Sequence, residues 1–252
     1  MRHLLYLSTT DRSAGDLARR FVLGIEIASF CTAWNMDEHL SETEEELKTT
    51  LAGVSRRVLH GSFNELYPCA IDPKARELAR HRYRQAIAVA RRYGAEKVVL
   101  HGGFVPLVYH PQWYEEQSIL FWKEFAAEIP EEMTVCLENV LEPTPQMLLN
   151  VVQAVDSERL RLCLDVGHAN AYSKISVMEW LEESAGFLSH LHIHNNDGTG
   201  DTHSSLQEGS IPMKALLRRA WQLRPEVTAT LELPQSEPSI CWLLEEETWK
   251  RN

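Results

Sequence analysis

The chain has 252 residues, of which 44% are hydrophobic, and a formal net charge of −11. This length suits one large domain or two small ones, and the negative charge disfavours non-specific binding to nucleic acids. The five cysteines form no CxxC pair, no apolar segment is long enough to cross a bilayer, and the apolar N-terminal run is too short for a signal peptide. These features argue against a disulfide framework, a cysteine-based zinc site and a membrane partner, and they predict a cytoplasmic protein.

The first half of the chain alternates short apolar runs with longer amphipathic segments. Ser41 and Glu44 have the spacing of a capping box at the start of a helix. Asp72 is placed to cap the longest helix, with Pro73 in its first turn and Gly94 at its end. The pattern predicts strands at residues 3–8, 22–30, 56–63 and 97–103, and helices at 11–21, 41–54, 72–95 and 113–128.

The second half repeats this alternation without a linker that could separate two domains. It predicts strands at residues 134–140, 160–168, 188–197 and 227–234, and helices near 144–154, 176–185, 211–221 and 239–250. Eight strand–helix units are the number in a (β/α)₈ TIM barrel, and strands that are apolar on both faces indicate a parallel sheet covered by helices. The alternative is a doubly wound open sheet. Because no Gly-rich phosphate loop occurs, we predict a single TIM barrel spanning residues 1–252.

Six consecutive predicted strands end in an imidazole or a carboxylate. In a barrel these strand ends converge on one mouth, which is where active sites of this fold lie. Isolated buried charges are costly, so a divalent cation is the simplest partner for such a group. The six residues are His60, His101, Glu138, Asp165, His194 and Glu232.

Three further residues extend this set. His168 follows Asp165 by three residues, so a short turn can direct both side chains inward. Asp201 and His203 form a D-x-H pair in the loop after the seventh strand, where alternate residues point the same way. Individually, each histidine has a purely structural interpretation, each glutamate could pair with an arginine, and the aspartate could cap a turn. We interpret His192 as a packing or supporting residue.

The motifs HGSF, HGG, LEN, LDVGH, HNND, DTH…QEG and LELP together resemble the xylose isomerase-like TIM-barrel superfamily. That superfamily contains sugar isomerases and epimerases, and also the endonuclease IV family of DNA-repair enzymes. The resemblance covers the chain from the third strand onward by motif, and before it by pattern. In ketose 3-epimerases one metal is held by two Glu, an Asp and a His, and the glutamates are implied to move the proton. The corresponding positions here are Glu138, Asp165, His194 and Glu232.

The resemblance to endonuclease IV implies a larger metal site, because three zinc ions take nine ligands in that family. All nine positions are filled here, by His60, His101, Glu138, Asp165, His168, His194, Asp201, His203 and Glu232. The DNA-reading segment of that family is not recognisable after the second strand. The arginine that epimerases carry shortly after the strand-seven histidine is replaced by Asn195, Asn196 and Asp197.

The leading hypothesis is a metal-dependent sugar or sugar-phosphate isomerase or epimerase. One to three divalent ions (Mn, Zn, Mg or Co) would chelate a carbonyl and its neighbouring hydroxyl and stabilise an enediolate, while Glu138 and Glu232 move the proton. Glu26 in the second strand is either a substrate contact or part of a buried ion pair. We expect Trp34, Phe63, Phe104 and Trp113 as pocket walls, and Asn139 and Asn196 as polar contacts to the substrate.

The alternatives are a zinc phosphodiesterase that acts at abasic sites in DNA and a metal-binding barrel without catalysis. Phe63 would then correspond to an aromatic residue that inserts into DNA in the endonuclease family. The loop GTGDTHSSLQEG contains no Lys or Arg, so we predict a small-molecule partner and no nucleic acid. The oligomeric state stays open, with a homo-oligomer among the alternatives.

Overall fold

Eight parallel strands close into a barrel in the computed structural model, which describes residues 2–245. Each strand pairs with its neighbour in sequence, and β1 also pairs with β8, so that Leu5 lies opposite Ala229. This closure confirms the TIM barrel and excludes the open sheet. The strands are β1 Leu5–Ser8, β2 Gly24–Ile27, β3 Arg57–His60, β4 Lys97–His101, β5 Thr134–Glu138, β6 Leu160–Asp165, β7 Leu188–Ile193 and β8 Thr228–Leu231.

Ten α-helices accompany the strands in the described part of the chain, after a short 3₁₀ turn at Arg2–Leu4. They are α1 Ala14–Phe21, α2 Ala33–Asp37, α3 Leu40–Thr50, α4 Pro73–Tyr93, α5 Pro111–Ala126, α6 Gln146–Val155, α7 Val166–Tyr172, α8 Val177–Ser184, α9 Met213–Leu223 and α10 Glu237–Leu244. The sequence pattern predicts a final helix up to residue 250, and residues 246–250 of that prediction lie outside the described residues. None of the described helices is long and apolar enough to span a bilayer.

The caps of α4 are as predicted. The carboxylate of Asp72 accepts a hydrogen bond from the main-chain N–H of Lys74 at 2.8 Å, and Pro73 occupies the first helical position. Gly94 ends the helix in the left-handed conformation at φ 64°. This combination satisfies main-chain groups that a helix leaves unpaired at its ends, so the longest helix has well-defined limits.

The capping box predicted at Ser41 and Glu44 is wrong. Helix α3 begins one residue earlier, at Leu40, because His39 is the cap residue and its carbonyl oxygen accepts the N–H of Thr43 at 3.0 Å. Ser41 therefore lies inside the first turn. The short helix α2, which the sequence pattern did not predict, ends only two residues before α3 and brings the chain to His39.

Strand β6 is shorter than predicted, because helix α7 begins directly after Asp165. The side chain of Asp165 accepts the main-chain N–H of His168 at 2.7 Å and so caps this helix. Strand β7 also ends early, at Ile193, and the following loop returns on itself through an antiparallel bridge between Asn195 and Ser204. Both deviations lie at the barrel mouth.

The hydrophobic core has two parts, because alternate residues of each strand face opposite sides of the sheet. The larger part joins the outward faces of the strands to the helices. A smaller cluster, separate from it, consists of Tyr6, Val58, Val99, Cys136 and Cys163. Nearer the mouth the inward-facing positions are polar and buried, which is unlike the branched apolar filling that is usual in such barrels and concentrates the chemistry at one end.

Candidate metal centre

The strand-end histidines His60 and His101 meet the carboxylate of Glu138. The Nε2 atoms of the two imidazoles lie 3.3 and 3.2 Å from Glu138 Oε2. Glu138 is 1% exposed, and strand pairing places it directly opposite His101. The convergence expected from the barrel geometry therefore brings these three residues together.

Asp165, His168 and His194 form the adjoining part of the site. His194 Nε2 lies 3.1 Å from both carboxylate oxygens of Asp165. His168 is turned back by helix α7, so that its Nδ1 is 3.5 Å from Glu138 Oε1 and its Nε2 is 3.3 Å from Asp201 Oδ2. The short turn between Asp165 and His168 thus directs both side chains into the site, as predicted.

The loop after β7 brings Asp201 and His203 to the same place. The ring of His203 stacks on that of His194 at 3.9 Å with an interplanar angle of 11°, and its Nε2 lies 3.1 Å from Asp201 Oδ2. His203 has a φ of 46°. Such a left-handed conformation is uncommon for residues other than glycine, and where it occurs it is often found at functional sites. Glu232 reaches the site from the end of β8.

All nine residues with predicted ligand positions therefore meet at the mouth. Groups of three ligand atoms within 4.8 Å of one another could hold a metal ion, and these groups include His60–His101–Glu138, His168–Asp201–His203 and His194–His203–Glu232.

Three of the imidazoles are oriented by the main chain. The Nδ1 atoms of His60, His168 and His203 lie 2.8–2.9 Å from the carbonyl oxygens of Gly61, Asn139 and Glu232, to which they donate. This leaves each Nε2 directed at carboxylates of the site. Histidines that bind metals generally donate their second ring nitrogen in this way, which fixes the tautomer and the ring orientation.

Several buried polar atoms of the site have no hydrogen-bond partner. They are Glu138 Oε2, His194 Nδ1 and Asp201 Oδ1. Glu138 Oε2 lies near two imidazole nitrogens, and His194 Nδ1 lies 3.6 Å from Asp201 Oδ1, but none of the three atoms makes a hydrogen bond. Burying polar atoms without a hydrogen bond is unfavourable, and all three belong to residue types that coordinate divalent ions. The residues present therefore fit a divalent metal ion.

The electrostatics of the site favour ionised carboxylates. Burial alone would raise the pKa of Asp165, but His168 and His194 outweigh it and lower that pKa to about 2. Burial likewise opposes the shift of Glu138, whose pKa lies well below its usual value because of His192 and His101. Conversely, Glu138 overcomes the effect of burial on His60 and raises its pKa to about 9.

Gly167 makes room for His194. A Cβ atom at position 167 would lie 1.9 Å from His194 Cε1 and 2.3 Å from His194 Nδ1. No real side chain tolerates such distances, so the glycine of the LDVGH motif is required for the close approach of helix α7 to this imidazole.

Beneath the site, His192 makes contacts that the sequence did not reveal. Its Nδ1 lies 3.1 Å from Glu138 Oε1 and 3.4 Å from Glu232 Oε2, and its Nε2 lies 2.9 Å from Glu26 Oε1. Of the two alternatives for Glu26, a substrate contact and a buried ion pair, the contacts favour the second, because Glu26 is buried and paired with histidines.

The predicted wall residues are distributed unevenly. Phe63 stacks on the His101 ring at 4.5 Å and so lies against the site. Phe104 is buried and packs edge-on against Tyr114 at 5.2 Å, while Trp113 Nε1 donates to the carbonyl oxygen of Cys69 at 2.9 Å. Trp34 is 64% exposed and its ring contacts His39. These contacts of Phe104, Trp113 and Trp34 are with residues outside the nine-residue cluster.

The two asparagines are held by the main chain. Asn139 Nδ2 donates to the carbonyl oxygen of Asp165 at 3.0 Å, and its Oδ1 accepts the N–H of Asp165 at 2.9 Å. Asn196 Nδ2 donates to the carbonyl oxygen of Gly167 at 2.9 Å. Both side chains thus fix the segments that carry ligands, and their contact with a substrate stays a prediction.

Positive side chains are scarce in the loops around the mouth. Across the described loops that follow the eight strands, Lys and Arg occur only as Arg12 and Lys174, both exposed. Arg57 donates to the carbonyl oxygen of Tyr93 at the far end of helix α4. Arg57 is the first residue of β3 and therefore lies at the opposite end of the barrel from the mouth.

Residues 23–251 match the family described as Xylose isomerase-like TIM barrel. The chain belongs to this family, which confirms the resemblance seen in the motifs. A relative, the uncharacterized protein MJ1311 of Methanocaldococcus jannaschii, is 30% identical over 189 residues, or 69% of this chain. The match spans 63% of that relative's length.

Solved structures share the fold over nearly the whole chain. A D-tagatose 3-epimerase-like protein superposes with a TM-score of 0.80 at 22% identity, covering 98% of each chain. The TTHB071 protein of Thermus thermophilus, from a ZnCl₂ soak, gives 0.77 at 24% identity and covers 100% of each chain. The IOLI protein, solved with a zinc atom, gives 0.67 at 16% identity over 94% of this chain and 91% of that chain.

Proposed function

We propose that this protein is a metal-dependent isomerase or epimerase acting on a sugar, with Glu138, Asp165, His194 and Glu232 around the ion. The unpartnered buried atoms Glu138 Oε2, His194 Nδ1 and Asp201 Oδ1 are the observation that carries this proposal. Each can act as a ligand, so a divalent cation is the simplest partner for all three. The other members of the nine-residue cluster leave room for up to three ions, with zinc, manganese, magnesium and cobalt as candidates.

A sugar substrate is supported by the structural neighbours and by the charge of the mouth. The neighbours include the D-tagatose 3-epimerase-like protein and a 3-keto-D-glucoside 4-epimerase from E. coli. A neutral polyol needs hydrogen-bonding partners and walls, and it does not need the clustered cations that a polyanion requires. With only Arg12 and Lys174 in the surrounding described loops, the mouth favours the uncharged ligand.

The chain's own groups supply the proton chemistry. A bound divalent ion would polarise a substrate carbonyl and its neighbouring hydroxyl. Glu138 at the end of β5 and Glu232 directly after β8 both lie close to His192 Nδ1, at 3.1 and 3.4 Å. We assign them the removal of the proton from the carbon beside the carbonyl and its return. Phe63, which stacks on His101, would form part of the wall that shields this transfer from water.

Exchange of solvent deuterium into a ketose tests this function. The metal-loaded protein is expected to incorporate deuterium into at least one member of a panel of ketoses and ketose phosphates. Glu138→Gln or Glu232→Gln should lower the rate by about 100-fold or more, the usual contribution of a general acid or base. Glu142→Gln is the matched control. Glu142 is also buried at the mouth, but its carboxylate accepts the N–H of Val140 at 2.7 Å and the hydroxyl of Tyr114 at 3.4 Å, and it forms no hydrogen bond or ion pair with the described residues of the cluster.

A second candidate, a zinc phosphodiesterase acting at abasic sites, is favoured by one observation. All nine positions that such an enzyme fills converge here, enough for several ions. Its binding would require phosphate-neutralising cations, which are scarce in the described mouth loops. We expect no cleavage of an abasic-site duplex at moderate salt. Efficient cleavage together with no exchange into any ketose would refute the isomerase hypothesis in favour of the endonuclease. Metal binding without either activity would favour a non-catalytic metal-binding barrel.

A further inference from the structure

A chain of buried polar side chains continues from the proposed metal site into the barrel interior. Its centre is Glu26, which lies in the middle of the β1–β2–β3 sheet region and is 1% exposed. Glu26 Oε1 accepts from His192 Nε2 at 2.9 Å. Glu26 Oε2 accepts from Thr230 Oγ1 at 2.5 Å and lies 3.1 Å from His190 Nε2.

The chain extends further down the barrel. The His190 Nδ1 atom lies 2.5 Å from Thr228 Oγ1. Lys97 Nζ in turn donates to Thr228 Oγ1 at 2.9 Å and to the carbonyl oxygen of Ser189 at 2.6 Å. These hydrogen bonds join strands that are far apart in sequence, so the network fixes the side chains on which it ends.

Glu26, His190 and His192 are close enough to hold a metal ion, but their hydrogen bonding argues for a different role. Both oxygens of Glu26 and both ring nitrogens of His190 already have partners in the network. The mouth differs, because unpartnered ligand atoms occur there. Glu26 and His190 thus have all their side-chain polar atoms hydrogen-bonded, whereas the mouth contains ligand atoms without a hydrogen bond.

His192 connects this support to the proposed ligands. One ring nitrogen faces Glu26, and the other faces Glu138 and Glu232. The ring is therefore held from both sides, with Nε2 at 2.9 Å from Glu26 Oε1 and Nδ1 at 3.1 Å from Glu138 Oε1.

We propose that Glu26 is a positioning residue for the metal site and acts through His192. Glu26 holds the Nε2 side of the imidazole, and the Nδ1 side then holds Glu138 Oε1. With Oε1 fixed, Oε2 is turned towards His60 and His101, where it has no hydrogen-bond partner of its own. This inference rests on the proposed assignment of Glu138 as a metal ligand.

The test is the affinity of the protein for zinc, measured by competition with a chromogenic chelator. Glu26→Gln keeps the size of the side chain and removes its charge. We expect it to weaken zinc binding by about 10- to 100-fold, the usual effect of removing a partner that orients a ligand. Asp11→Asn is the matched control. Asp11 is also a buried acid, but its carboxylate accepts from Ser13 and Ser236 and does not contact the cluster, so affinity should stay within about 2-fold.

A double-mutant cycle distinguishes positioning from general destabilisation. In a His192→Gln background, Glu26→Gln should change zinc affinity by less than about 3-fold, because the residue through which it acts is gone. A merely structural effect would be the same in both backgrounds. Thr230→Val, which removes one donor to Glu26 without changing the side-chain shape, gives a second route should Glu26→Gln fail to fold. It should weaken zinc binding by about 3- to 10-fold in the wild-type background only.

The outcomes separate this inference from the proposed function. A wild-type protein that binds no zinc overturns the metal site and the inference with it. Wild-type protein that binds zinc, with Glu26→Gln and Thr230→Val binding equally well, overturns the positioning role alone. Equal losses in the wild-type and His192→Gln backgrounds overturn it as well. Zinc binding that is weakened in the wild-type background and not in the His192→Gln background supports the positioning role of Glu26.

Discussion

Substitution of Gly167 by alanine tests whether the geometry around His194 is needed for metal binding. The added Cβ would lie 1.9 Å from His194 Cε1, whereas ordinary contacts begin near 3.4 Å. The imidazole must therefore move by about 1.5 Å. Such a shift breaks the 3.1 Å hydrogen bonds to Asp165 and the 3.9 Å stacking on His203.

The expected magnitude follows from two opposing effects on stability. Alanine is favoured over glycine inside a helix by roughly 0.5–1 kcal/mol, whereas overpacking of a filled site costs about 1–3 kcal/mol. The metal-free variant should thus be less stable than wild type. Metal–ligand distances tolerate only about 0.2 Å, so a displaced His194 should weaken zinc binding by about 100-fold, the upper end for a disturbed ligand.

Thermal or denaturant unfolding with and without zinc provides the assay. At free zinc about 100 times the wild-type Kd, binding stabilises the wild-type protein by about 2.7 kcal/mol, and a variant with about 100-fold weaker affinity gains only about 0.4 kcal/mol. Gly186→Ala is the control, because a Cβ there meets nothing within 4 Å. Gly186→Ala should keep the full zinc effect. A Gly167→Ala protein with wild-type zinc stabilisation would refute the assignment of His194 to the site.

Two further predictions concern the ligands and pH. Asp165→Ala and His194→Ala should each abolish zinc retention, measured by elemental analysis, while preserving the far-UV circular dichroism spectrum. An unchanged zinc content in both variants would show that the metal site lies elsewhere. Burial opposes the protonation of His60 and His203, but Glu138 and Asp201 raise each pKa to about 9. Zinc must displace these protons, so its affinity should rise from about pH 7 to about pH 9 with proton release seen by calorimetry in two buffers. Because the folded pKa values exceed the unfolded value of about 6.5, the stabilisation of the metal-free protein by these two groups is complete below about pH 6.5 and is lost as pH rises through about 9. An affinity that does not depend on pH would contradict both assignments.

The sequence predicts the barrel and the strand-end residues because both follow from local patterns. Each strand is a short apolar run, and the residue that ends it must face the mouth once the sheet closes. Thus Glu138 and Asp165 could be placed from the sequence alone. The D-x-H spacing also places His203 beside Asp201, although the left-handed φ of 46° at His203 shows that the loop is not extended there.

The rest depends on partners that are distant in sequence. Glu26 and His192 are 166 residues apart, so nothing local shows that they are hydrogen-bonded. Helix α7 has seven residues, too few for a periodic pattern, and its start depends on the cap by Asp165. Trp34 is an aromatic residue in the segment after a strand, and such a position does not tell whether the ring faces the pocket or solvent.

The most direct test of the central proposal is the position of zinc in crystals of the protein soaked with ZnCl₂, located from anomalous scattering at the zinc absorption edge. We predict at least one strong peak at the barrel mouth, with ligand atoms of Glu138, Asp165, His194 or Glu232 about 2.0–2.2 Å away. A zinc-saturated crystal with no peak among these four side chains, or with its zinc bound elsewhere, would contradict the proposed metal centre.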